Sequence, residues 1–107
     1  GKASREFLYV EDCARAVVAA LTKYDGPEPI NLGSGMEITI AALADKISRL
    51  VGYSGRIEWD TSKPDGQPRR RMDISRARKL LAFEPEMDFD EGLRRTIEWY
   101  RQNKTAR

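Results

Sequence analysis

Arg5-Glu6-Phe7-Leu8-Tyr9-Val10-Glu11-Asp12 changes character halfway, because the β-prone run Phe7–Val10 meets two carboxylates that suit the positive dipole end of a helix. The stretch predicts a strand that hands over to a helix. Beyond it, Val10, Ala14, Val17, Val18 and Leu21 recur at helical spacing, so a helix with one apolar face is expected over 11–23, stopped by Gly26-Pro27. Further out, Pro29-Ile30-Asn31-Leu32 reads as a short buried strand and Gly33-Ser34-Gly35 as a turn. Glu37-Ile38-Thr39 looks extended. Thr39 is placed to cap a second helix that carries Ile40, Leu43, Ala44, Ile47, Leu50 and Val51 on one side, with Gly52 set for a left-handed end. Arg56-Ile57-Glu58-Trp59 alternates like a half-buried strand, whereas 60–71, with two Pro, one Gly and almost no apolar content, predicts a surface loop. Asp73 or Ser75 begins a short helix through Leu80-Leu81. Asp88 with Glu91 forms a capping box for a last helix, whose apolar face is Phe89, Leu93, Ile97 and Tyr100. The expected class is α/β, a small mixed domain of about four helices and three to four short strands. Strands separated by helices favour parallel pairing, yet so few cannot make the covered sheet that a self-contained parallel fold needs.

Composition narrows the function. At 107 residues the chain is one domain at most, since domains run to ~100–150 residues. Nineteen Lys+Arg against seventeen Asp+Glu give +2, without the bias of a nucleic-acid binder. One Cys and no His exclude an internal disulfide and the usual zinc sets. A reducing, cytoplasmic setting is the expectation. No run of ~18 apolar residues exists, and Gly-Lys-Ala-Ser-Arg-Glu lacks the apolar core of a signal peptide, so membrane and secretion are not expected.

Arg69-Arg70-Arg71 is the strongest chemical feature, preceded by Lys63-Pro64-Asp65-Gly66 and followed by Arg76, Arg78 and Lys79. Guanidinium forks pair bidentately with phosphate, and Pro68 holds the arginines after it at lower entropic cost. A solvated, solubilising loop is the ordinary alternative; nucleic acid is opposed by the balanced charge and the lack of interleaved aromatics. Arg5 lies at a strand mouth where it can meet an anion, or else pair with Glu6, Glu11 or Asp12. Gly33-Ser34-Gly35 lacks the third glycine of a phosphate loop and reads as a plain turn. Tyr100 and Lys104 match a Tyr-x-x-x-Lys spacing, but no nucleotide-binding glycines precede them and Tyr100 falls on the expected core face. Cys13 has no His to activate it. No catalytic constellation emerges from these residues. A stand-alone module for anions or for another protein is the reading from a different class.

Three segments carry a resemblance: Arg5-Glu6-Phe7-Leu8-Tyr9-Val10-Glu11-Asp12, Asn31-Leu32-Gly33-Ser34-Gly35 and Ser62-Lys63-Pro64-Asp65-Gly66-Gln67-Pro68-Arg69-Arg70. In this order they resemble the C-terminal part of extended short-chain dehydrogenases/reductases, the NAD-dependent epimerase/dehydratase family, that act on nucleotide sugars. Within them the nearest likeness is to the GDP-L-fucose synthases. The resemblance spans about residues 1–103, and its third segment is the most specific. It implies that the whole chain, 1–107, is a sugar-nucleotide-binding domain, the C-terminal portion of a longer Rossmann-type enzyme. The N-terminal domain, with NADP and the catalytic Ser, Tyr and Lys, lies outside it, so the chain alone binds no cofactor. It further implies that Arg5 contacts the substrate phosphates, that Asp65 accepts from a ribose or base, and that Arg70 pairs with the diphosphate. Lys63, Arg69 and Asn31 are supporting positions by the same likeness. The pattern has Lys where Arg70 stands, which turns a point contact into a fork. The substrate so implied is a nucleotide-diphosphate sugar, a GDP-sugar first, epimerised at C3 and C5 of a 4-keto-6-deoxymannose and reduced at C4. An apolar patch of Val10, Val17 and Leu21 is expected to face the absent domain or to drive a homodimer.

Overall fold

The structure is a computed structural model and describes residues 1–104. Its elements are β1 (Ser4–Arg5), α1 (Val10–Lys23), β2 (Ile38–Thr39), α2 (Ile40–Val51), α3 (Ser75–Leu81) and α4 (Phe89–Asn103). The four helices fall where periodicity puts them. In α2 the Thr39 hydroxyl accepts from the Ala42 N–H at 3.1 Å, and Gly52 ends the helix at φ 76°, where a side chain is disfavoured. Asp88 caps α4 by accepting from the Glu91 N–H at 3.2 Å. The expected capping box is only half formed, because the Glu91 carboxylate turns to Arg94 and Arg95. Hydrogen bonds from Arg94 and then Arg95 hold that carboxyl down at about 2.

The sheet departs from expectation. It has two antiparallel strands, with Ser4 opposite Thr39 and Arg5 opposite Ile38, plus one parallel bridge from Ser4 to Arg69 on the other side of β1. Phe7–Tyr9, 29–32 and 56–59 are not strands. Strand propensity means fitting a pleated, half-buried surface, and among the described residues these stretches have no neighbouring strand to lie on. Leu8, Ile30 and Leu32 instead pack on a small apolar cluster of Ala16, Ala77, Leu81 and Phe83, while Ile57 and Trp59 stay exposed.

Two helix pairs, α1 with α3 and α2 with α4, make up the layers, and the short sheet joins them. Leu81 is the large side chain buried most fully. The radius of gyration is 16.6 Å, against roughly 13 Å for a compact domain of this length. Much apolar surface is left open. Val10, Ala14, Val17, Val18 and Leu21, the expected core face of α1, are exposed, and α1 buries Asp12 and Ala16 instead. Tyr100, expected on the core face of α4, is exposed as well. Among the described residues no helix is long and apolar enough to cross a membrane.

Candidate functional site

Three consecutive residues organise the basic loop. The Ser4 N–H donates to the Pro68 carbonyl at 2.9 Å, which forms the bridge to Arg69. Arg5 comes next, and its Nη1 donates to the carbonyls of Ser4 at 2.6 Å and Gln67 at 2.8 Å, while Nη2 reaches that of Asp65 at 3.4 Å. Glu6 then accepts from the Gly35 N–H at 2.6 Å and the Met72 N–H at 3.0 Å. A loop without apolar side chains cannot be held by burial, so hydrogen bonds to its backbone take that role.

Arg5 and the loop backbone at Asp65 and Gln67 are thereby brought together. Arg5 does not ion-pair with Glu6, Glu11 or Asp12: its guanidinium takes three carbonyls and keeps further N–H donors of its five free. Arg70 and Lys63 are exposed, and among the described residues their side chains meet no hydrogen-bonding or ionic partner. The Asp65 side chain is exposed too. Arg69 differs, since its Nε donates to both carboxylate oxygens of Glu37, at 2.6 and 2.8 Å. That hydrogen bond holds Glu37 below the usual carboxylate range and raises Arg69. Arg69 is therefore engaged in holding its own loop to β2. Asn31 is exposed and stands outside this junction, although the Gly33–Gly35 turn beside it takes part.

Beside the loop lies an open groove of about 490 Å³, lined by Arg69, Arg71, Met72, Asp73, Ile74, Ser75 and Arg78. Gly35, at φ 75°, borders it, since a Cβ there would lie 3.3 Å from Ile74 Cδ1 and 3.8 Å from Arg78 Nη2. Of the arginines on this groove, Arg69 is paired with Glu37 and Arg78 with Glu84. Among the described residues no His, Cys, Asp or Glu cluster is placed to hold a metal.

Comparison with known proteins relates the chain to longer proteins. Residues 1–33 match the NAD dependent epimerase/dehydratase family. The chain is 44% identical over 103 residues to GDP-L-fucose synthase 1 of Arabidopsis thaliana, covering 96% of this chain and 32% of that protein. The chain fits a C-terminal part of an extended short-chain dehydrogenase/reductase. Two solved members of the family superpose on it. UDP-glucose 4-epimerase of Thermotoga maritima, solved with UDP-glucose, is 28% identical with a TM-score of 0.88, covering 97% of this chain and 33% of that one. The Bordetella bronchiseptica enzyme WbmF, solved with NADH, is 33% identical with a TM-score of 0.84, covering 98% and 31%. The chain thus spans about a third of the length of the relatives it matches. Its curated relatives include GDP-L-fucose synthases and a UDP-glucuronate 4-epimerase.

Two acidic residues matter here that sequence reasoning gave other roles. Glu6 was legible only as an ion-pair partner, because its amide partners lie 29 and 66 residues away. Asp12 reads as a dipole-facing acid but is buried, accepting from Arg15 Nη2 at 2.6 Å and from the Glu86 and Met87 N–H groups at 3.1 Å each. A signal for it did exist. Asp12, Ala16, Ala19 and Ala20 share one helical stripe of small residues, which marks close packing against a neighbour.

Proposed function

We propose that this chain is the substrate-binding part of an NAD(P)-dependent nucleotide-sugar epimerase/reductase, and that Arg5 and Arg70 receive the diphosphate of a GDP-sugar. Asp65, two residues before Gln67, accepts from the ribose or base, and Lys63 adds charge at the loop entry. One observation carries the reading: β1 holds the basic loop by its backbone, at Pro68 and Gln67, and leaves the Arg70 and Lys63 side chains exposed and, among the described residues, unpaired. A loop meant only for solubility needs no such anchoring. A loop whose backbone is already fixed loses less entropy when an anion arrives.

The likeness to GDP-L-fucose synthases supports the GDP-sugar, and with it 3,5-epimerisation and 4-reduction of a 4-keto-6-deoxy sugar by the whole protein. NADP belongs to the same proposal, in a dinucleotide-binding domain outside these residues. The Gly33-Ser34-Gly35 turn does not fit a dinucleotide, because it leads into β2 rather than a helix and the Gly35 N–H is already taken by Glu6. This chain's part is to bind and orient. The exposed face of α1 is covered in this reading by the dinucleotide-binding domain.

Titration of the chain with GDP, GDP-mannose and UDP, followed by amide NMR shifts, tests the reading. Shifts concentrated at Arg5 and 63–70, weakened roughly tenfold in affinity by Arg70→Ala, are expected. Equal shifts spread over all basic residues, or no loss with Arg70→Ala, would reject it. A stronger response to UDP would move the substrate class to UDP-sugars.

A further inference from the structure

We infer that Glu6 is a positioning residue for the basic loop: its carboxylate, acting as a double acceptor, locks the Met72 end of that loop to the Gly33–Gly35 turn and so sets where Arg70 stands. The locking is independent of any ligand; its consequence for a nucleoside diphosphate rests on the binding reading above.

The geometry is specific. Oε2 accepts from the Gly35 N–H at 2.6 Å and Oε1 from the Met72 N–H at 3.0 Å, so each oxygen serves a different segment. Neither oxygen turns to Arg5 next door, whose guanidinium takes the carbonyls of Ser4, Gln67 and Asp65. Room for the carboxylate comes from a buried glycine, since a Cβ on Gly33 would lie 2.6 Å from Oε1. Gly35 contributes its left-handed φ of 75°, which aims its N–H back at Glu6. Ser4 and Arg5 hold the loop at 67–68 and Glu6 holds it at 72, so the exposed Arg70 lies between two fixed points supplied by three consecutive residues.

This arrangement calls for an acid rather than an amide of the same shape. Two N–H donors arrive at two oxygens, whereas glutamine offers one oxygen and one NH₂, so either orientation sets a donor against a donor. Glu6→Gln therefore breaks one tie at constant volume. Glu6→Asp keeps both acceptors but is shorter by one methylene.

Amide hydrogen exchange of the chain, combined with GDP titration, tests the inference. In Glu6→Gln, exchange at Gly35 or Met72 should speed up roughly tenfold or more, with protection elsewhere in α2 and α4 unchanged, and Glu6→Asp should fall between. GDP affinity should drop several-fold, and Glu6→Gln with Arg70→Ala together should be no weaker than Arg70→Ala alone, because one side chain acts through the other. Unchanged exchange at both amides in Glu6→Gln overturns the inference. So does faster exchange with GDP affinity intact in a protein that Arg70→Ala does weaken. If Arg70→Ala leaves GDP binding untouched, the binding reading fails by itself, and the exchange rates at Gly35 and Met72 still decide for or against the lock. Should Glu6→Gln not fold, Glu6→Asp carries the same two readouts.

Discussion

Helix α1 buries an aspartate and exposes three valines and a leucine. On its inner side Asp12 and Ala16 are closed against α3 and the 84–87 segment; on its outer side Val10 is 71% exposed and Leu21 84%. In a self-contained helix the preference runs the other way, since each aliphatic side chain removed from water stabilises by about 1.5–3 kcal/mol and an unpaired buried carboxylate costs several. The inner side resolves its half of the inversion, because the Asp12 carboxylate has donors from Arg15, Glu86 and Met87. On the outer side nothing among the described residues answers the apolar residues. Among the described residues the buried polar side chains are satisfied within the chain, then, while a large share of the apolar surface stays open.

The comparison is sharpest between two leucines. Leu81 is 1% exposed in the apolar cluster that packs α1 on α3, and Leu81→Ala is expected to cost about 3 kcal/mol or more through lost transfer and a residual cavity. For a chain with so few buried large side chains that is a great part of the total. Leu21→Ala should change stability by less than about 0.5 kcal/mol. Urea unfolding followed by circular dichroism reads both, and comparable losses would mean that the outer face is packed in solution.

Asp12 follows. Asp12→Asn keeps the size but sets an NH₂ group against the donors it must satisfy, so a loss of about 2 kcal/mol is expected. Burial alone would raise this carboxyl, yet the hydrogen bonds from Arg15 and from the Glu86 and Met87 amides outweigh it and leave the group below the usual range. A group depressed in the folded state contributes stability that is complete above its unfolded value of about 3.9 and drains as pH falls through the folded one. The acid limb of a stability–pH curve below about pH 4 should therefore be shallower in Asp12→Asn than in the parent. An identical acid limb would mean that the carboxylate titrates as if exposed.

Much of this was readable in advance, and the boundary of what was readable is physical. Thr39, Gly52 and Asp88 announce helix ends because a cap depends on residues within one turn, and all three do so in the structure. The basic loop was legible for a similar reason: 60–71 has nothing to bury. Of the extended stretches, 37–39 supplied β2, whereas others were misplaced because a strand is defined by its neighbour, and the Phe7–Tyr9 stretch found side-chain packing through Leu8 rather than a ladder. The Glu6 tie and the Glu37–Arg69 fork join residues far apart in the chain, and no local pattern encodes them. The outward face of α1 misled for another reason. Periodicity identifies which residues want burial, not whether this chain supplies the burial.

Helix α2 is the control for that argument, because its Gly52 cap is made by its own last turn, while Arg101 of α4 adds one hydrogen bond to the Val51 carbonyl at 3.2 Å. Gly52 sits at φ 76°, its N–H donates to the Arg49 and Ser48 carbonyls, and a Cβ would meet nothing within 4 Å. Gly52→Ala should then cost about 1 kcal/mol of backbone strain and nothing from packing. A markedly larger loss in thermal unfolding would show that α2 leans on contacts beyond its own cap, as α1 does.

Leu21→Glu has the smallest expected effect on the fold and bears most directly on what covers α1. At 84% exposure the substituted side chain stays in water, so unfolding midpoints should barely move. What changes is the patch it shares with Val17 and Val18 at helical spacing, interrupted by a charge that cannot be buried without a partner. If the patch pairs two copies of the chain, light scattering should fall from dimer to monomer and binding of a hydrophobic dye should change with it. If the chain is already monomeric and binds dye that Leu21→Glu removes, the face is free and suited to the domain proposed to lie on it. A monomer that binds no dye in either form would mean that these residues do not act as a patch, and the inversion across α1 would then be a matter of composition alone.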